Sequence, residues 1–327
     1  MSRPHPQRYL HVGETVFGKR GLQLAAELLR KIALREGMGS VLAEGGRRAA
    51  EILGMGQELA DELYAAWGFA GHWDGRGDHA NHIVFPYWLV TALQWAMDTR
   101  DPISSGHGYG QNLMRWGPFS SQKEALPWEQ IKAIGKEVYG TEKTVDPESG
   151  YDEKAIPAVW HGHRSVLKDS LPVDDQIFPR IFSRHTEDGY ARADGMEGPA
   201  FEYHLFVSAT GMDLTEKELD EACERVFNIE RALLVRNYGR AREDDETVIP
   251  YFEQVENWEN PILGARERVH REKFLRLMDE YYRLREWDLK TGRPTRGKLE
   301  KLGLREVADE LERRHLLPAA TFHEHTE

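Results

Sequence analysis

The sequence predicts a mainly α-helical protein on three observations: apolar residues recur at helical spacing through most of the chain, glycines and capping residues punctuate the periodic stretches, and no alternating run demands a large sheet. With 327 residues, 40% of them hydrophobic, the chain has material for a sizeable core and exceeds a typical single domain of about 100–200 residues. Two packed lobes or one large helical unit follow.

From Gly21 to Arg35, Leu22, Ala25, Leu28, Leu29, Ile32 and Ala33 form an apolar stripe, with Arg30, Lys31 and Arg35 elsewhere on the cylinder. Gly37 and Gly39 stop this helix; a second is predicted from Val41 to Leu53, ending at Gly54 and Gly56, and a third from Gln57 to Trp67. The stretch 68–81, GFAGHWDGRGDHAN, has no period and reads as a loop or lobe boundary. Val84 to Met97 is apolar and aromatic, long enough for a buried helix after Pro86. Trp128 to Tyr139 reads as helical, whereas 140–151 is charged and irregular, a surface excursion on which the fold should not depend. Thr215 and Glu218 form a capping-box pair opening a helix through Leu219, Ala222, Val226, Ile229 and Leu233. Further helices are predicted from Arg266 to Arg285 and from Arg296 to Arg314, with the alternating charges of RERVHREKF on a solvated face.

Composition narrows the function. With 55 acidic against 43 basic residues the net charge is −12, a field that repels a phosphate backbone, so nucleic acid is a poor partner. No window approaches the about 20 apolar residues of a membrane helix, and the start, MSRPHPQRYL, lacks the apolar core of a signal peptide; a soluble cytoplasmic protein is expected. The single cysteine, Cys223, excludes an internal disulfide framework and a cluster held only by this chain's thiolates. Flanked by Glu221 and Glu224, it reads as structural, its thiol pKa raised by neighbouring charge.

Histidine is the first residue type to interrogate, since neutral imidazole binds metals and titrates near neutrality. His79 with His82, and His161 with His163, have spacings that can present two imidazoles to one ion, although solvent-exposed loop histidines are the simpler reading. His107 lies in SSGHGYGQ, where a positioned acid or base could sit; a histidine bonded only within its loop fits equally. Asp169 and Asp174 bracket a segment in which Pro172 prevents a helix interior. Carboxylates on such a turn can accept hydrogen bonds from the N–H groups of a heterocycle, and an ordinary solvated turn is the simpler alternative. GMGSVLAEGG has the glycine content of a phosphate cradle but no Gly-Lys-Ser/Thr ending and no preceding strand, which argues against a nucleotide site.

Three segments, LRKIALREGMGSVLAEGGRRAAEILG, CERVFNIERALLVRNYGRAREDDE and LMDEYYRLREWDLKTGRPTRGKLEKLGLREVADEL, together resemble the helical second and third domains of the tungsten-containing aldehyde:ferredoxin oxidoreductase family. RDPISSGHGY further resembles the branch that includes the tungsten subunit of benzoyl-coenzyme A reductases. The resemblance implies residues 1–82 as the remainder of helical domain 2 and 83–327 as helical domain 3, with the N-terminal sheet domain absent. It implies a tungsten or molybdenum ion held by two pterins beside a 4Fe-4S cluster, electron exchange with a ferredoxin-like carrier, and oxidation of aldehydes or related acyl compounds.

The family's pterin motif, Asp-x-x-Gly-Leu-Cys, is matched by DSLPVD. Asp169 takes the place of the carboxylate that receives pterin amino groups, Val173 that of Leu, and Asp174 that of the cluster cysteine. His107 matches the active-site histidine, proposed to donate to a metal-bound or substrate oxygen. The Cys-x-x-Cys-x-x-x-Cys run is missing, so the chain alone is expected to hold no cluster and only part of the pterin site. A split enzyme completed by a cysteine-rich N-terminal subunit, a truncated reading frame, and a noncatalytic helical scaffold or interaction protein are the three accounts this leaves.

Overall fold

A computed structural model describes residues 19–58, 64–65, 68–69, 85–97, 113, 126–173, 200–249, 253, 255 and 263–318. It is mainly helical, and the chain divides into two units, Met1–Gly71 and His72–Glu327.

In the first unit, α1 (Lys19–Leu34), α2 (Met38–Leu42) and α3 (Gly46–Leu53) follow one another. The single helix predicted from Val41 to Leu53 is therefore two pieces, broken at Ala43–Gly45. GMGSVLAEGG is no cradle: at Gly39 a Cβ would lie 2.2 Å from the Lys31 carbonyl oxygen, so its lack of a side chain lets α2 press against the backbone of α1. Of the third predicted helix, Gln57 to Trp67, residues 57–58 are helical, residues 64–65 are strand, and the others lie outside the described residues. β1 (Tyr64–Ala65) pairs antiparallel with β2 (Gly68–Phe69), in register Tyr64 with Phe69 and Ala65 with Gly68. A helix is poorly continued into glycine, and a hairpin ladder satisfies the same backbone groups.

The second unit begins with α4 (Trp88–Met97), whose ten residues are all buried, as an all-round apolar helix must be. α5 (Trp128–Tyr139) follows, then α6 (Ala155–Ser170), which packs against α4, α5, α7 (Phe201–Thr210), α8 (Glu216–Tyr238) and α10 (Arg271–Leu284). The short α9 (Arg242–Asp245) lies between α8 and α10, and α11 (Arg296–Lys301) and α12 (Arg305–Arg313) close the described chain. The capping box opens α8 as expected: Thr215 Oγ1 accepts from Glu218 N, and Glu218 Oε2 accepts from Thr215 N. Leu299, Ala308 and Leu311 bury against Ala232 and Val235 of α8.

Three boundaries differ from expectation. α10 starts at Arg271 because His270 is extended and gives its N–H to the Tyr151 hydroxyl at 2.9 Å; Val269 and Phe274, inside the supposedly solvated RERVHREKF, are buried. The helix predicted from Arg296 to Arg314 breaks at the left-handed Gly303. The segment 140–151 is no detachable excursion. Thr144 and Val145 are fully buried, the Tyr87 hydroxyl donates to Val145 O at 2.9 Å, and the buried Lys154 ammonium donates to Lys143 O at 2.5 Å and Ser149 Oγ at 2.6 Å. Burial pulls the Lys154 pKa down to about 7 even though Asp146, Asp152 and Glu153 raise it.

One buried carboxylate ties the later helices together. Asp245 accepts two bonds from Arg231 at 2.8 and 2.5 Å, one from Arg240 Nε at 2.9 Å and one from the Tyr282 hydroxyl at 2.7 Å. Arg231 also donates to Gly292 O at 2.8 Å, and Arg240 Nη2 to Ala96 O at 2.8 Å. Arg231, Arg240 and Asp245 belong to the NIERALLVRNYGRAREDDE segment, which therefore has a structural role. Asp245→Asn leaves two buried guanidiniums facing a neutral group and is expected to cost about 3–5 kcal/mol in denaturant unfolding. Arg296→Ala, which removes only solvent-exposed ion pairs, should leave the transition nearly where it was.

Candidate functional site

Helix α6 carries the chemistry legible in this region. Its sequence, AIPAVWHGHRSVLKDS, is polar where a central helix should be apolar, and His161, His163, Arg164, Ser165 and Lys168 are all buried. Each is retained only if its polar atoms find partners.

The two histidines do not form a ligand pair. They sit within a buried helix, not on an exposed loop, and they face different partners. His161 Nε2 lies 2.8 Å from the Tyr139 hydroxyl; burial, then the charges of Arg164 and Lys168, hold its pKa well below the usual range. His163 uses both ring nitrogens. Arg285 Nη1 can only donate, so His163 Nε2 accepts from it at 2.6 Å, and the Nδ1–H donates to Asp220 Oδ2 at 3.0 Å. Gly162 makes this possible, since a Cβ there would lie 2.5 Å from Arg285 Nη2. With both nitrogens engaged, His163 has no lone pair for a metal, and among the described residues no group of three His, Cys, Asp or Glu could hold one. His79 and His82 lie outside the described residues.

At its C-terminal end α6 presents Asp169. The helix closes through Leu171 N to Leu167 O at 3.0 Å, and Val173 N folds back to Lys168 O at 3.4 Å. Val173 thus helps to set the turn that displays the carboxylate. The Asp169 side chain is 41% exposed, open enough for a ligand to reach, and 3.9 Å from the Nζ of the fully buried Lys168. His107 and Asp174 lie outside the described residues. Cys223 is buried on α8, and its thiol is pushed up to about 12, by burial first and the charge of Asp220 second. The structural role expected of it holds, although burial contributes more than charge and the charge belongs to Asp220.

Gln94 on α4 was not singled out from the sequence. It is 3% exposed, and among the described residues neither Oε1 nor Nε2 has a hydrogen-bond partner. A buried amide left unmet costs about 1–3 kcal/mol. The signal available was one amide in the apolar run WLVTALQWAM.

With this geometry in place, comparison with known proteins assigns the class. The profile of the family described as aldehyde ferredoxin oxidoreductase, domains 2 & 3, matches residues 17–304, so the chain belongs to that family. Among solved structures it is similar to the active site complex BamBC of benzoyl coenzyme A reductase in complex with 1,5 dienoyl-CoA, with 19% identity and a TM-score of 0.54, over 94% of this chain and 43% of that one. At that identity the likeness is one of fold. The chain spans less than half the length of the chain it matches.

The cofactors implied by the family fit unequally. A pterin edge would suit what is present: a 41% exposed carboxylate at Asp169, a group able to accept from amino groups, and at Gln94 an amide whose donor and acceptor are unused among the described residues. A 4Fe-4S cluster does not fit this chain, because it takes four thiolates, and the one thiol here is buried on a helix and held protonated.

The histidines make the fold acid-sensitive. Their folded pKa values lie below the ordinary 6.5, so the unfolded chain binds more protons, and stability present above pH 6.5 is lost as pH falls below it. Melting temperature should drop from pH 7 to pH 5, and in His163→Gln the drop should be shallower.

Proposed function

We propose that this chain supplies the domain 2 and 3 half of a tungsto- or molybdopterin oxidoreductase that acts on aldehydes, carboxylic acids or related acyl compounds and exchanges electrons with a ferredoxin-like carrier. The observation that carries this reading is Asp169, displayed on the α6 end turn inside the segment matched to the family. In this reading residues 1–82 complete domain 2, residues 83–327 form domain 3, and the assembly works in the cytoplasm; among the described residues no helix is long and apolar enough to cross a membrane.

The bound metal–pterin would supply the redox chemistry. Asp169 would accept hydrogen bonds from the amino groups of one pterin, a charge-assisted contact that orients the ring, and Val173 would keep the turn closed beneath it. His107 would hold a proton toward the substrate oxygen. Asp174 would bring an oxygen donor to the position of the cluster cysteine.

The cluster thiolates and the cover over the cofactor would come from a cysteine-rich partner. Leu28 and Leu29, placed by their periodicity on the inward face of α1, are 41% and 67% exposed, and Leu24, Ile52 and Met55 are also exposed in the same unit. An apolar flank of this kind is what an uncovered interface looks like.

The chemistry of Cys223 supports a second reading, a helical scaffold that kept the fold and lost the cluster. Co-expression with a cysteine-rich partner separates the two. A coloured complex containing pterin, tungsten or molybdenum, and iron is expected, whereas a colourless metal-free complex supports the scaffold. In the loaded complex Asp169→Ala should lower pterin content about 10- to 100-fold, the loss of one hydrogen bond to a charged group.

A further inference from the structure

We propose that the side-chain amide of Gln94 binds a ligand directly, pairing with the lactam edge of a fused pyrimidinone, where a ring N–H and a ring C=O stand side by side. The proposal rests on the reading above in taking that ring to be a pterin; guanine presents the same edge.

The argument begins with a contrast inside the same unit. Asn228, the fully buried amide of α8, is satisfied at both ends: Nδ2 donates to Glu224 O at 2.9 Å, and Oδ1 accepts from Trp287 Nε1 at 2.8 Å. His163, equally enclosed, also engages both of its polar atoms. Of the other buried side chains with an unmet atom, His161 still pairs its Nε2 with the Tyr139 hydroxyl and Arg164 its Nη2 with Glu216. Gln94 is as deeply buried, yet both amide atoms are unmet, at a position where leucine or methionine would serve the core better. A residue that breaks the local rule without a compensating contact marks a place where stability is exchanged for function.

Its setting suits binding. Gln94 stands on the last turn of α4, and that turn is held from outside by the Arg240 bond to Ala96 O. The amide is thus carried on a rigid element, which limits the ordering cost of engaging a ligand. A primary amide offers one donor direction beside one acceptor direction, the complement of a lactam. It would pair poorly with a carboxylate or an ammonium, each of which leaves half of it unmet. α4 packs on α6, the helix that ends in Asp169.

The test uses the full chain and free pterin (2-amino-4-oxopteridine), followed by its fluorescence, with guanosine titrated in parallel. Wild-type protein should bind pterin saturably and guanosine more weakly; Gln94→Met should bind pterin about tenfold less tightly, a loss of about 1.4 kcal/mol. The same variant without ligand should melt at a temperature equal to or above that of wild type, because an unmet amide is gone. A residue with a merely structural role would lower it. On wild-type protein labelled with nitrogen-15 glutamine, the Gln94 side-chain NH2 resonance should shift as pterin is added, which gives a readout that needs no variant. Undiminished pterin binding by Gln94→Met, a fall in its melting temperature, or a resonance that moves only with guanosine would each overturn the assignment. These outcomes are independent of the cofactor content of the partner complex, so failure here and failure of the enzyme reading are told apart.

Discussion

The structure turns on how α6, enclosed by five other helices, pairs the polar side chains it carries inward. His163 shows how. It stands between an acid on α8 and the Arg285 cation that caps the C-terminus of α10, gives its one proton to the first and its one lone pair to the second, and so ties three helices together through a neutral ring. Gly162 gives Arg285 the room to take part. A hydrophobic column would have packed these helices with similar energy, but with less to fix their rotation and register.

Because the helix is held along its length, its end is held too. The turn carrying Asp169 begins where Lys168 is buried and Val173 folds back, so an accessible carboxylate is displayed from an inaccessible base. The thiol of Cys223 is locked away on α8, and the leucines of α1 face solvent on flanks that their pattern assigns to an interior.

Much of the helical plan was legible from periodicity, because strong signals such as the Thr215 capping box or the unbroken apolar run of α4 act locally. Boundaries were lost where a distant partner decided them: Tyr151 takes the His270 N–H and delays α10, and Lys154 collects carbonyls that make 140–151 part of the core. Burial of His161 and His163 was hidden for the same reason, since a histidine pair looks alike on a loop and in an interior until its partners are known. Asp169 was singled out by its place beside the Pro172 turn and by the motif it resembles. Gln94 was passed over because its significance lies in contacts it lacks, which no linear pattern records.

Asp245 has a reach greater than its size. Through Arg240 it secures the Ala96 carbonyl near the end of α4, and through Arg231 it secures Gly292, far along the chain. Two regions separated by nearly two hundred positions share a single anchor, so drift in the closing third of the polypeptide would be felt at the end of α4 without any residue there having changed.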